Sequence, residues 1–87
     1  MNAERPHVEA LRIDVMGDSA TLELVERLRW ARPVVRPLEE RGWRVSIPCG
    51  TDHERVFAAI RGWLRSQDLP DVTVWVEGTP RVIESAA

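Results

Sequence analysis

The sequence predicts an α+β fold in which an antiparallel sheet carries two helices on one face. Three observations support this prediction: stretches of alternating apolar residues, two stretches with helical periodicity, and a strand–helix–strand order that occurs twice. The chain has 87 residues, 44% hydrophobic and 30% charged, which fits one globular domain and excludes collagen-like or largely disordered material. We place this domain at residues 8–84, between a flexible tail at 1–7 and a C-terminal tail at 85–87.

The first strand and helix follow from the spacing of apolar residues. From Glu9 to Met16 apolar and polar residues alternate, which is typical of a half-buried strand. Its apolar face consists of Leu11, Ile13 and Val15. Gly17-Asp18-Ser19 should end this strand and supply capping oxygens for a helix over Ala20–Ala31. The apolar side of that helix consists of Ala20, Leu24, Val25, Leu28 and Ala31.

The segment between residues 32 and 42 allows two interpretations. Pro33 and Pro37 bracket a short apolar stretch, which suits an edge strand because proline cannot donate to a strand ladder. Alternatively, Pro37 could begin a single helical turn that ends before Gly42. We favour the edge strand.

A second strand–helix unit follows. Alternation returns with Trp43, Val45 and Ile47 on one face of a strand. Thr51-Asp52-His53-Glu54 has the pattern of a capping box, which predicts that Thr51 caps the second helix. The apolar side of this helix consists of Val56, Phe57, Ile60, Trp63 and Leu64.

The last strands complete a recognisable order of elements. Residues 72–77 form the clearest strand, and residues 81–83 indicate a short return strand after a turn. The predicted order of elements is that of a ferredoxin-like βαββαβ sandwich: strand, helix, edge strand, strand, helix and strand. In that sandwich the first and third strands are central, and the second and fourth are edges.

Such a sheet would leave one face bare, and this face is the expected binding surface. It would carry the polar residues that alternate with the core. These are Arg12, Asp14, Arg44, Ser46, Thr73, Trp75 and Glu77. Exposed indoles are favoured anchors at interfaces, which makes Trp75 a candidate. Trp30 is a second one, because it lies nearly opposite the apolar stripe of its helix.

The out-of-phase indoles and the lack of a convincing catalytic set favour a non-catalytic interaction module over an enzyme, and a charged segment offers a binding surface. Residues 27–44 contain six arginines and two glutamates, a local charge of +4 in a chain of net charge -2. We expect docking to a protein partner, or homodimer formation, through the bare face. The expected binding residues are Arg12, Asp14, Arg44, Ser46, Trp75, Trp30 and Arg36. The acidic net charge argues against nucleic acid as a partner.

No catalytic, cofactor or metal set is evident in the sequence. Cys49 and His53 at a helix start are weak candidates for a reactive thiol pair, and a packed structural cysteine is the other interpretation. One cysteine and two histidines do not form a zinc set, so we expect no cofactor and no metal. The lone cysteine favours a reducing cytoplasm, and no apolar run is long enough to predict a membrane helix.

Two other functions stay open. Small ferredoxin-like dimers can act as cofactor-free oxygenases or isomerases, which would require a roomy apolar pocket containing Cys49, His53 or Trp43. Single-stranded RNA binding would use Arg12 and Arg44 together with stacking on Trp75.

Two stretches near the end of the chain resemble a known group of proteins; they are Trp63-Leu64-Arg65 and Asp71-Val72-Thr73-Val74-Trp75-Val76-Glu77-Gly78. They look like the C-terminal part of small effector-associated accessory components of actinobacterial conflict and signalling loci. The resemblance covers about a quarter of the chain, and the glycine-rich apolar stretch expected before the second helix is missing. It implies a non-catalytic accessory subunit that docks onto an effector. The two crossovers are also similar, in topology only, to peptidoglycan-binding sporulation-related repeats.

Overall fold

A computed structural model describes residues 9–39 and 41–85 of the chain. Its elements are β1 (Glu9–Met16), α1 (Asp18–Arg27), a 3-10 turn (Arg29–Ala31), β2 (Val34–Pro37), β3 (Gly42–Pro48), α2 (His53–Gln67), β4 (Asp71–Val76) and β5 (Thr79–Glu84). The tail predicted at 1–7 and the last two residues lie outside the described residues. Ser85 is hydrogen-bonded, since its N–H donates to the Pro70 carbonyl oxygen at 2.9 Å.

The strands form one antiparallel sheet in the order β2-β3-β1-β4-β5. The predicted α+β class is therefore confirmed, with β1 and β3 inside the sheet as expected. The prediction that the fourth strand is an edge is wrong, because β5 pairs along its outer side. Glu77 and Gly78 have positive φ angles of 50° and 88°, which is typical of the tight turns that join twisted antiparallel strands.

Residues 34–37 form an edge strand, which decides between the two interpretations of this segment. β2 pairs only with β3 in the described part of the sheet, and its register places Val35 opposite Val45. The N–H of Leu38 continues this ladder by donating to the Gly42 carbonyl oxygen at 2.8 Å. The two prolines lie where the missing N–H groups cost the ladder nothing.

Both helices pack on the same face of the sheet. Odd-numbered residues of β1 and β3 and the inner sides of α1 and α2 belong to one buried cluster. Its members are Ala10, Leu11, Ile13, Val15, Leu24, Leu28, Ala31, Val45, Ile47, Val56, Ile60, Trp63, Leu64, Val74 and Ile83. Trp63 joins the two helices, because its indole N–H donates to the Ala20 carbonyl oxygen at 2.8 Å.

The helix starts differ from the predicted caps. Gly17 is the N-cap of α1 and has no side-chain capping bond; the Asp18 carboxylate instead accepts the Trp43 indole N–H at 2.8 Å. At α2 the cap is Asp52, whose carboxylate accepts hydrogen bonds from the backbone N–H groups of Glu54 at 3.1 Å and Arg55 at 3.3 Å. Thr51 donates its hydroxyl to the Pro48 carbonyl oxygen, so it is engaged in the preceding turn.

An exposed polar bridge also connects the helices. Glu23 of α1 accepts hydrogen bonds from Ser66 at 2.6 Å and from Gln67 at 2.8 Å, both near the end of α2. The Ser66 hydrogen bond, followed by that from Arg27, lowers the pKa of the Glu23 carboxyl group. Because the folded-state pKa is depressed, any stability from this bridge is present at neutral pH. It is lost as the pH falls through the lowered pKa.

Candidate functional site

The strand registers define a sheet face that the helices do not cover. Residues paired across an antiparallel sheet lie on the same face, so one row runs from Val34 through Ser46, Arg12 and Trp75 to Pro80. We call the following residues the open face: Arg12, Asp14, Val34, Arg36, Arg44, Ser46, Thr73, Trp75, Pro80 and Val82. Glu77, which the sequence placed on this face, lies instead in the β4–β5 turn.

The centre of the open face is a stacked pair of side chains. The Arg12 guanidinium carbon lies 4.7 Å from the ring centroid of Trp75, and both residues are half-buried. A cation over an indole at this distance is attracted by about 0.5–1 kcal/mol at a partly exposed site. The Nε atom of Arg12 is buried and finds no hydrogen-bond acceptor among the described residues. The pair therefore combines apolar area with an unused donor.

The second row of the open face carries arginines in excess. Arg44 donates to Asp14 through Nε at 2.9 Å and through Nη2 at 3.2 Å, a two-point ion pair across β3 and β1. Arg36 lies directly opposite Arg44 on the neighbouring strand. Like charges opposite each other in a sheet are destabilising, and within this row two arginines stand beside the single carboxylate of Asp14. The row is therefore suited to a negatively charged or acceptor-rich surface.

The structure separates Trp30 from Trp75. Helix α1 ends at Arg27, earlier than predicted, and the 3-10 turn that follows rotates Trp30 toward the core, where it is half-buried. Its indole N–H donates to the Arg27 carbonyl oxygen at 3.0 Å, and the Arg55 guanidinium stacks on its ring at 4.0 Å. Of the seven expected binding residues, the open face holds six, and Trp30 lies beside the start of α2.

The weak thiol candidates flank the start of α2. Cys49 is exposed, so the expectation of a packed structural cysteine is wrong. The His53 ring lies 6.2 Å from the ring of Phe57 at the start of α2. Within residues 9–39 and 41–85, no group of three or more His, Cys, Asp or Glu side chains could hold a metal ion.

Sequence reasoning missed an apolar groove on the helix side of the sheet, between α1 and β2. It has a volume of about 380 Å³ and is lined by Asp18, Thr21, Leu22, Val25, Val35 and Trp43. We call this feature the α1–β2 groove. Leu22 is 65% exposed at its rim. The one available signal was that this leucine lies off the apolar stripe of its helix.

No helix in the described part of the chain is long and apolar enough to cross a membrane. Comparisons of the chain with protein-family models, with curated proteins and with solved structures found no match. Its function is therefore inferred from the geometry of the open face and of the α1–β2 groove.

Proposed function

We propose that this chain is a non-catalytic interaction module that docks a protein partner through the open face. The observation that carries the proposal is the stacked Arg12–Trp75 pair. Tryptophan and arginine are both enriched among the few residues that dominate binding energy at protein interfaces. The buried Nε of Arg12 also favours binding. An unsatisfied buried donor costs about 1–3 kcal/mol, and an acceptor on a partner would relieve this cost.

The charges of the open face indicate the chemistry of the partner. Arg12, Arg36 and Arg44 lie on three adjacent strands, and the Asp14 carboxylate on the same face pairs with Arg44. We expect the partner to present carboxylates or backbone carbonyls around an apolar socket for Trp75. Such complementarity would mainly speed association and select the partner, and it would weaken as salt is added.

Site-specific photocrosslinking in the native host would test the open face as the docking surface. A photoreactive amino acid in place of Val34 or Thr73 samples two sides of the Arg12–Trp75 pair. The same residue in place of Ala58, exposed on α2, is the matched control. We expect both open-face positions to capture the same protein and the Ala58 position not to capture it. Equal capture from all three positions, or none from the open face, would contradict the proposal.

A second candidate function is binding of a small apolar molecule in the α1–β2 groove, as a cofactor-free enzyme of the oxygenase or isomerase type requires. The observation that favours it is the volume of this groove, which is large enough for a bicyclic ring. Of the three residues expected in such a pocket, Trp43 lines it, whereas Cys49 and His53 do not. This distribution supports ligand binding more than it supports a reaction.

Titration with 1-naphthol, followed by amide NMR shifts, would test the groove. We expect shifts confined to the groove residues, and a loss of affinity of about tenfold in Leu22→Glu, which places a charge at the apolar rim. Val82→Glu is the matched control, since Val82 is 62% exposed on β5 and far from the groove in the strand order. Shifts that are scattered over the surface, or equal losses in both variants, would remove this candidate.

The connectivity supports a finer fold assignment. The first four strands lie in the order β2-β3-β1-β4, which is that of a ferredoxin-like βαββαβ sandwich, and β5 extends it. RNA-binding domains with this connectivity stack bases on aromatic residues of the two central strands. Here β1 and β3 present Arg12, Asp14, Arg44 and Ser46 instead, so we infer a protein partner rather than RNA. An accessory subunit that docks onto an effector, as the resemblance of residues 63–65 and 71–78 implies, fits this proposal, and the single cysteine favours the cytoplasm as its compartment.

A further inference from the structure

A second cavity adjoins the α1–β2 groove at the end of the sheet where β1 leads into α1. It has a volume of about 570 Å³, and Asp18, Arg41 and Trp43 are among the residues that line it. Met16 pairs with Gly42, which brings the start of α1 next to the residue that precedes β3. We call this space the Arg41 cavity. Because Asp18 and Trp43 also line the α1–β2 groove, the two spaces meet at the hydrogen bond between these side chains.

The α1–β2 groove is suited to the apolar part of a ligand. The Trp43 indole N–H is already donated to Asp18, and the Thr21 hydroxyl donates to the Gly17 carbonyl oxygen at 2.7 Å. The other described residues that line the groove are aliphatic, so its interior offers carbon surface and no free side-chain donor. A hydrocarbon or aromatic group would gain most from entering it.

The Arg41 cavity is lined by charges of opposite sign. Asp18 accepts the Trp43 hydrogen bond through Oδ1, whereas its Oδ2 atom has no hydrogen bond within the described residues. Arg41 takes part in none of the ion pairs between described side chains. Helix α1 also begins at Gly17 without a side-chain cap, so no side chain accepts its first N–H groups. A carboxylate oxygen and a set of cationic and N–H donors therefore remain available in one cavity.

We propose that the α1–β2 groove and the Arg41 cavity together bind a free α-amino acid with a large apolar side chain. This inference rests on the proposed binding of an apolar molecule in the groove, and it names the class of that molecule. The ligand's side chain would fill the groove, its ammonium would pair with Asp18, and its carboxylate would pair with Arg41. An amine alone would face the Arg41 guanidinium, and an acid alone would face the Asp18 carboxylate. Each would leave one charge of the cavity unpaired, which disfavours both relative to the zwitterion.

A series of ligands tests this inference on the unaltered chain, followed by amide NMR shifts. L-Tryptophan would be compared with L-tryptophanamide, which keeps the ammonium but has no carboxylate, and with N-acetyl-L-tryptophan, which keeps the carboxylate but has no ammonium. We expect shifts at the groove residues and at residues 17–18 and 41–43. We expect each analogue to bind about tenfold more weakly than L-tryptophan, or weaker still. The analogues also represent the two ends of a peptide, so equal or tighter binding of either one would overturn the inference.

Two substitutions assign each charge of the ligand to its partner. Asp18→Asn keeps an oxygen for the Trp43 indole N–H, so we expect it to weaken binding of L-tryptophan about tenfold but not that of N-acetyl-L-tryptophan. Arg41→Gln should weaken binding of L-tryptophan to a similar extent but not that of L-tryptophanamide. Arg61→Gln is the matched control, because Arg61 is also exposed but lies on α2. An unchanged affinity in either Asp18→Asn or Arg41→Gln, or an equal loss in Arg61→Gln, would contradict the assignment.

The titration with 1-naphthol separates this inference from the proposal on which it rests. If L-tryptophan displaces 1-naphthol from the groove, both are supported. If 1-naphthol shifts the groove amides and L-tryptophan does not, the groove binds apolar molecules and the assignment of an amino acid is wrong. If neither molecule binds, both proposals fail. Docking of a protein partner through the open face is tested independently, by crosslinking from Val34 and Thr73.

Discussion

Trp63→Ala is expected to lower the free energy of unfolding by about 3–5 kcal/mol, the largest stability effect among the tryptophans. The indole is 1% exposed and lies in the cluster that joins both helices to the sheet. Truncation would leave a cavity there and would also remove the hydrogen bond to the Ala20 carbonyl oxygen. Since small domains are stable by about 5–15 kcal/mol, a loss of this size would unfold a measurable fraction of the chain.

Urea denaturation followed by far-UV circular dichroism measures this effect. Trp75→Ala is the comparison, because it removes the same side chain from the half-buried open face. For it we expect a loss of about 1 kcal/mol, mainly the contact with Arg12. Equal losses in the two variants would show that the open face belongs to the core, against the burial described above.

Trp75→Ala is expected to weaken binding of the partner captured at the open face by about 30-fold to 1000-fold, the range typical of a central aromatic anchor. The variant removes the apolar area of the indole, and it also leaves Arg12 without the ring on which its guanidinium stacks. Isothermal titration calorimetry with the purified partner measures the change in affinity. The variant stays folded in this experiment, because the expected loss of stability in Trp75→Ala is too small to unfold the chain.

Trp30→Ala separates this effect from a general effect of losing an indole. Trp30 is also half-buried and also stacks with an arginine, but it lies beside α2, away from the open face. We expect the affinity of Trp30→Ala for the partner to remain within a few-fold of the affinity of the unaltered chain. A reversed order, with Trp30→Ala the more damaging variant, would move the docking surface to the end of α1 and refute the proposed role of the open face.

The open face could be predicted because strand alternation is a local property. Its residues fall on one face whenever their strands are half-buried and paired, and this holds for Arg12, Asp14, Arg44, Ser46 and Trp75. Trp30 could not be placed in this way. Its position depends on a switch from α-helix to a 3-10 turn after Arg27, and nothing in the helical periodicity marks that change.

The caps show a different limit of sequence reasoning. Thr51 and Asp52 are both good N-cap residues, and the choice of Asp52 depends on a turn in which the Thr51 hydroxyl bonds to Pro48. Asp18 was an equally good cap for α1, but its carboxylate accepts a hydrogen bond from the distant Trp43. Long-range partners compete with local ones for the same oxygen, and the sequence does not reveal which wins.

Periodicity by itself determined where the strands and helices lie, apart from the end of α1, and which face of each is apolar, and the prolines favoured an edge position for β2. Those properties arise from neighbours along the chain, within one turn or one pleat. Only the tertiary structure decided that β5 closes the other side of the sheet, that Arg12 stacks on Trp75, and that a groove opens beside α1. Each of these depends on strand order and on contacts between segments far apart in the chain, and short-range patterns carry no information about such contacts.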